Sequence, residues 1–173
     1  MMLMASGTNY GIKRTIPHML GIALGFALMI VIIGLGLIQT FEAYPYLLKV
    51  MKAICVGYLI YLSYKIATSS PTQIHSTSKS KPLTFLEAAM FQWVNPKAVS
   101  MAITAITVYT PGRSTEEVVI AGLVFMIIDI PCVLLWTSMG TNIRRFLGTT
   151  MRLRIFNSVM ALLLMSSLYF IIT

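Results

Sequence analysis

Long apolar stretches separated by short polar connections run along the whole chain. The apolar stretches cover about residues 17–39, 44–67, 83–110, 116–140 and 155–173. Each has roughly 19 to 28 residues, and an α-helix rising ~1.5 Å per residue needs about 20 residues to cross a ~30 Å hydrocarbon core. The pattern therefore predicts an all-α, polytopic bundle of five transmembrane helices that forms a single membrane domain over residues 1–173.

The first span carries local signals for where it begins and how it packs. Thr15 has the side chain of an N-cap, and Pro17 follows in the first turn, where its missing N–H costs little. Gly21 and Gly25 are four residues apart, and small residues at this spacing let helix backbones approach closely in lipid. We expect these glycines to serve a helix–helix contact.

Two later spans contain proline in their interiors. The third holds Asn95-Pro96-Lys97, and the fourth holds Asp129-Ile130-Pro131. A proline inside a helix removes one backbone hydrogen bond and clashes with the carbonyl four residues earlier. We therefore expect a kink or break in each of these spans.

Composition and charge narrow the class of protein. The chain is 57% hydrophobic and 10% charged, whereas soluble domains contain about 25% charged residues. The lipid bilayer is therefore an expected partner. The net charge of +8 does not predict nucleic-acid binding, because the basic residues are concentrated on alternate connections. Nine of the thirteen lie before the first span, or within or next to the loops 68–82 and 141–154. This alternation is the positive-inside pattern of an inner-membrane protein whose residues 1–16 are cytoplasmic and whose C-terminus at Thr173 is outside.

Polar groups of three spans fall at similar depth. By ~1.5 Å of rise per residue, Lys52, Asn95, Lys97 and Asp129 lie about 17–23 Å from the cytoplasmic ends of their spans. Ionisable residues at mid-membrane are expensive and often functional. We expect Asp129 to pair with a lysine beside Pro96 and Pro131, leaving a watery, positively charged cavity suited to a carboxylate-bearing solute.

A structural explanation stays open for each of these groups. Lys52 could extend to the outer interface, Lys97 could cap carbonyls freed by Pro96, and Asp129 could be a structural partner. The sequence shows no nucleophile–base pair, phosphate loop or metal-ligand spacing, and Cys55 and Cys132 both lie within spans. We therefore expect no enzyme activity, no metal and no cofactor.

Several segments in order resemble the LysE/RhtB family of amino-acid exporters. These are MASGTNYGIKRTIPHMLGIALGF, KAICVGYLIYLSYKIA with Lys52, FQWVNPKAVS with Asn95-Pro96-Lys97, and PCVLLWTSMG followed by arginines. The segment YKIATSSPT is similar to the cysteine/O-acetylserine exporter branch. The resemblance implies export of an amino acid or a close derivative such as cysteine, O-acetylserine or homoserine, driven by the proton gradient, and six helices in two inverted halves of three.

The chain departs from that family at its beginning. The Pro-Gly-Pro-Asn motif of the family's first helix is absent, and Met1–Gly7 looks like the tail of that helix. Three explanations stay open: a start assigned too far downstream, a truncated remnant, or a homodimer partner that fills the vacated groove. The alternative function is accordingly a non-transporting remnant or an accessory membrane subunit.

Overall fold

The computed structural model describes residues 1–68, 81–167 and Tyr169, and within these ranges the chain is helical and contains no β-strand. The described α-helices are α1 (Met2–Ile32), α2 (Ile38–Ala43), α3 (Tyr46–Ala67), α4 (Phe85–Val94), α5 (Pro96–Tyr109), α6 (Thr115–Phe146) and α7 (Thr150–Ser166), with a π-helical stretch at Ile33–Leu37 between α1 and α2. The predicted all-α class is confirmed.

Helix α1 folds back on itself at Gly11. This residue has φ 76° and ψ 170°, a left-handed φ that glycine adopts at little cost. The hydroxyl oxygens of Ser6 and Thr15 lie 3.2 Å apart, whereas nine residues of straight helix would separate them by ~13 Å. We call the two parts of α1 the first arm (residues 2–10) and the second arm (residues 12–32).

The prediction that Thr15 caps a helix is wrong. The second arm begins directly after Gly11, so Thr15 already lies within it. Its hydroxyl donates a hydrogen bond of 2.8 Å to the carbonyl of Gly11, as threonine does in the interior of a helix.

Two glycines let the first arm cross α6 at close range. A Cβ atom added to Gly7 or to Gly140 would collide with the backbone of the other helix. At the crossing, Thr8 Oγ1 donates to the carbonyl of Gly140 at 2.8 Å, and Thr141 Oγ1 donates to the carbonyl of Gly7 at 3.2 Å. Small residues and interhelical hydrogen bonds therefore hold this crossing together, as expected for helices packed in lipid.

The second arm packs against α4 through the glycines that the sequence singled out. A Cβ on Gly21 would lie 2.7 Å from the Cβ of Ala88, and one on Gly25 would lie 2.7 Å from the Cα of Ala89. Any larger residue at either position would force α1 and α4 apart.

The helix expected over 83–110 is broken at Asn95-Pro96, where the sequence predicts a kink or break. Helix α4 begins with a capping box between Thr84 and Glu87 and ends at Val94. Asn95 then has an extended backbone and caps α5, its side-chain oxygen accepting a 3.2 Å bond from the amide of Lys97. Because Pro96 is the first residue of α5, its missing N–H leaves no hydrogen bond unmade.

The break predicted at Pro131 is wrong. Helix α6 runs without interruption from Thr115 to Phe146. The loop predicted at 141–154 is largely helical, since α6 continues to Phe146 and α7 begins at Thr150. An isolated proline in a long helix costs one hydrogen bond, and 32 residues of surrounding helix accommodate that loss.

Three helical segments among the described residues are long and apolar enough to cross a membrane unaided: Met2–Leu37, Lys49–Ala67 and Thr115–Phe146. The first of these includes the fold-back at Gly11. The third predicted span is divided into α4 and α5, and the fifth corresponds to α7 with 17 described helical residues. Residues 69–80 of the predicted loop, with 168 and 170–173 of the last span, lie outside the described residues. The chain is thus a helical membrane protein, and the count of five spans stays a prediction.

The buried apolar residues form two main clusters. One joins the second arm of α1 to α5 and α6 around Met29, Ile30 and Ile106. The other joins α3, α4 and α7 around Leu59 and Phe91. Many large apolar side chains point outward instead, as expected of a surface that faces lipid.

Basic residues gather at one end of the bundle, which we call the basic end. Tyr10, beside the fold-back, lines a small cavity together with Lys65 and Lys81. Thr141, near the end of α6, bonds to the first arm. The described residues of the basic end are Lys13, Arg14, Lys65, Lys81, Arg144 and Arg145. Connections that are far apart in sequence thus bring their positive charges to the same end.

Candidate functional site

A cavity of about 770 Å³ lies beside the break between α4 and α5. Four of the six predicted pathway residues line it: Lys52 from α3, and Asn95, Pro96 and Lys97 from the break. We call it the central cavity. The break lies after the ten residues of α4, or ~15 Å from the start of that helix, which is about half the thickness of a bilayer core.

The central cavity is positively charged. Its lining includes the ammonium-bearing side chains of Lys52 and Lys97, and no Asp or Glu is among its described lining residues. Helix α5 also begins at the cavity wall with Pro96, so the partial positive charge of that helix end adds to the two lysines. The combination favours an anionic group such as a carboxylate.

Sequence reasoning missed part of the polar lining. Gln92 is buried on α4, Ser100 follows Pro96 by one turn on α5, and Trp136 comes from α6. Helical spacing offers a signal for Ser100, which follows Pro96 by four positions and so lies on the same face of α5. Gln92 lies on α4, before the break, and this spacing does not predict it. A smaller cavity of about 80 Å³, lined partly by Lys52, Pro96 and Ser100, adjoins the same break.

Asp129 and Pro131 are not among the residues that line the central cavity. One carboxylate oxygen of Asp129 is enclosed, yet it has no hydrogen-bond partner in the described part of the chain. Its neighbours Ile128 and Ile130 are exposed. The predicted pairing of Asp129 with a lysine is therefore not observed among the residues described, and the carboxyl group lies near the rim of the lipid-facing surface.

A buried pair of amides ties the first arm of α1 to α7. The Asn9 side chain donates to Asn157 Oδ1 at 3.0 Å, and the Asn157 side chain donates back to Asn9 Oδ1 at 3.2 Å. The two residues are 148 positions apart, so no local pattern predicts the contact. It fixes the first arm, whose Met2 and Leu3 line the central cavity.

His18 is a second polar residue that the sequence analysis did not single out. It is only 2% exposed, and neither ring nitrogen has a hydrogen-bond partner among the described residues. It faces a cavity of about 50 Å³ at the basic end, which Asn9, Tyr10, Lys65 and Lys81 also line. We call this the basic-end cavity.

The described residues contain no group of three His, Cys, Asp or Glu side chains placed to hold a metal ion. Cys55 is buried and Cys132 is exposed, and both are free thiols. The polar side chains that line the central cavity carry ammonium, amide, hydroxyl and indole groups.

Comparison with known proteins places this geometry in context. A sequence model of the LysE type translocator family matches residues 1–172. The cysteine/O-acetylserine efflux protein of Klebsiella pneumoniae subsp. pneumoniae is 25% identical over 115 residues, which cover 66% of this chain and 58% of that protein. The protein of the same name from Escherichia coli K12 is 28% identical over 109 residues, covering 61% and 53%.

The chain thus spans about half the length of the curated relatives that it matches. No solved structure matches it.

Proposed function

The chain belongs to the LysE type translocator family, and we propose that it exports an amino acid or a close derivative across the cytoplasmic membrane, driven by the proton gradient. Membership confirms the family predicted from the sequence. It also identifies a transporter and not an enzyme, in agreement with the sequence analysis. The observation that carries the proposal is the central cavity, whose wall brings Lys52, Asn95 and Lys97 together among largely apolar helices.

The central cavity is large enough for an amino acid, and its charge favours a solute that carries a carboxylate. Its volume of about 770 Å³ lies within the ~300–1,000 Å³ range of small-molecule sites. Lys52 and Lys97 supply positive charge for the carboxylate, while Asn95, Gln92 and Ser100 offer hydrogen bonds to the rest of the solute. The missing acidic residue among the described lining disfavours a cationic side chain such as that of lysine.

The names of the relatives point the same way. Both are cysteine/O-acetylserine efflux proteins, and both solutes carry a carboxylate and a small side chain without net charge. We therefore propose cysteine, O-acetylserine or a similar neutral compound as the solute.

The proposed orientation in the membrane follows from the basic end. By the positive-inside rule, that end faces the cytoplasm. The fold-back at Gly11 then lies inside and the C-terminus outside, with five crossings in this chain. Met1, Met2 and Leu3 return to line the central cavity, so the prediction that all of residues 1–16 are cytoplasmic does not hold for them. We propose Asp129 and Pro131 as further pathway residues on α6, and a homodimer whose second copy covers the lipid-facing surface near Asp129.

The test is efflux of labelled O-acetylserine or cysteine from cells that make the protein. We expect faster efflux than from cells with an empty vector. Lys97→Gln should raise the half-saturating solute concentration about tenfold to a hundredfold, because a hydrogen bond to a charged group contributes ~1.5–3 kcal/mol. Lys49→Gln is the matched control, since Lys49 is an exposed lysine of α3 that does not line the cavity.

Two outcomes would contradict the proposal. Equal efflux with and without the protein, across a panel of amino acids, would favour the non-transporting or accessory role. Equal effects of Lys97→Gln and Lys49→Gln would remove the central cavity as the solute site.

A further inference from the structure

We propose that His18, in the basic-end cavity, binds and releases the proton that drives export. This cavity is then a proton site distinct from the solute site in the central cavity. The inference rests on the proposed export function and adds to it the group that couples transport to pH.

The first argument is the unmet hydrogen bonding of His18. The ring is 2% exposed, and both of its nitrogens lack a partner among the described residues. Leaving a buried polar group unpaired costs about 1–3 kcal/mol. The adjoining cavity is lined by Ser6, Asn9 and Tyr10, which supply the polar partners that ordered water needs. Water in this cavity would satisfy the ring and give it a route for protons.

The volumes decide which occupant each cavity suits. A cavity needs about 10–15 Å³ of such space to hold a water molecule, so the roughly 50 Å³ of the basic-end cavity has room for ordered water. Sites for small organic molecules begin near 300 Å³. The basic-end cavity therefore suits water and protons, while only the central cavity has room for an amino acid.

The two cavities are neighbours, because Met2 lines both of them. On the second arm, His18 lines the basic-end cavity, and Ile22, one turn further along, lines the central cavity. His18 thus lies between the end of the bundle and the solute site, where its charge can act on both.

The groups around His18 single it out as the titrating residue. Tyr10 of the first arm, Lys65 of α3 and Lys81 before α4 line the same cavity, and Glu87 of α4 is within electrostatic range. On its own arm, Lys13 and Arg14 are exposed, and no titratable residue of α6 or α7 is among the described residues lining the cavity. Of these side chains only imidazole normally changes charge between about pH 5 and 8. Lys65 and Lys81 oppose a further positive charge on the ring and Glu87 favours it, so the charge of this cavity changes by one unit whenever His18 gains or loses a proton.

The first experiment measures proton binding without relying on transport. The chain contains two histidines, His18 and His75. Labelling histidine with nitrogen-15 therefore gives imidazole signals from two residues, which a His75→Asn variant assigns. In lipid nanodiscs we expect the His18 signals to shift reversibly as the pH falls from 8 to about 4, because the buried ring favours its neutral form. Signals that stay in one form across this range, while those of His75 titrate, would overturn the proposal.

The second experiment measures coupling in proteoliposomes. His18→Asn should keep exchange of labelled O-acetylserine within about twofold of the wild type when no pH gradient is present. It should lose at least about fivefold of the stimulation that an imposed pH gradient gives the wild type. His75→Asn is the matched control and should keep that stimulation. If His18→Asn does not fold, His18→Gln takes its place.

The outcomes separate the two proposals. Full stimulation by the gradient in the His18 variant would refute a coupling role for His18 while leaving the export function intact. If the wild type exchanges no solute, the proposed export function is wrong, and so is the coupling role that rests on it. The nitrogen-15 titration still shows in that case whether His18 binds a proton.

Discussion

The buried amide pair Asn9–Asn157 should be an energetic tie between the first arm of α1 and α7. The perturbation is a double-mutant cycle with Asn9→Ala, Asn157→Ala and the double variant. Asn157 is fully buried and Asn9 is 8% exposed, so removing either side chain takes two buried hydrogen bonds away from the other amide. In the Asn157→Ala variant, Asn9 keeps one hydrogen bond, because its side chain also donates to the carbonyl of Ala5 at 2.8 Å.

The structure sets the expected magnitude. Two bonds of 3.0 and 3.2 Å join the amides. Interhelical hydrogen bonds in membranes contribute about 0.6 kcal/mol on average and ~1.7 at most, and those in soluble proteins about 1 kcal/mol each. We therefore expect each single variant to lose about 1–3 kcal/mol in the free energy of unfolding. The double variant should lose clearly less than the sum of the two, because each single variant already removes the same two mutual hydrogen bonds.

The assay is reversible unfolding in mixed micelles, followed by helical circular dichroism. Ser158→Ala is the matched control, since Ser158 is the exposed neighbour of Asn157 on α7. It should change the free energy of unfolding by less than about 0.5 kcal/mol. Losses that simply add in the double variant would refute the reasoning, because they would show that the two amides do not stabilise each other.

Two further variants test packing and the acidic residue of α6. Gly25→Leu should destabilise the bundle by several kcal/mol in the same unfolding assay, because a Cβ added there would lie 2.7 Å from the Cα of Ala89. Gly57→Leu should be tolerated, because a Cβ added to Gly57 would have no neighbour within 4 Å outside its own helix backbone. Equal losses in the two variants would contradict the close contact. Asp129→Asn should leave the free energy of unfolding within about 1 kcal/mol, since the structure shows no ion pair for it to lose among the described residues. The same variant should slow efflux if Asp129 is a pathway residue, and normal efflux would make it structural only.

Local chemistry explains what the sequence could predict. The apolar runs are long enough to require helices in a membrane, and the break at Pro96 has a complete local signal. Asn95 is a good N-cap, and proline is favoured at the first position of a helix. Gly21 and Gly25 likewise lie on one helical face, so their spacing alone predicts that they pack against another helix.

The misses have physical causes too. Thr15 and Pro17 have the residue types of a helix start, so the sequence analysis placed the start there and not at Gly11. The chain folds back at Gly11 because glycine adopts a positive φ at little cost. His18 and the Asn9–Asn157 pair depend on contacts between elements distant in sequence, and periodicity within one helix carries no information about them.

The contrast between the two prolines explains where the site lies. At Pro96 the preceding asparagine replaces the lost helical bonds, its side chain accepting from the amide of Lys97. A helix end that caps itself can persist among apolar neighbours, since few of its polar groups stay unpaired. Pro131 follows isoleucine, which offers no such bond, so continuing the helix is the less costly solution. The polar cavity therefore forms beside the break that satisfies its own backbone, and α6 stays intact as the helix against which both arms of α1 pack.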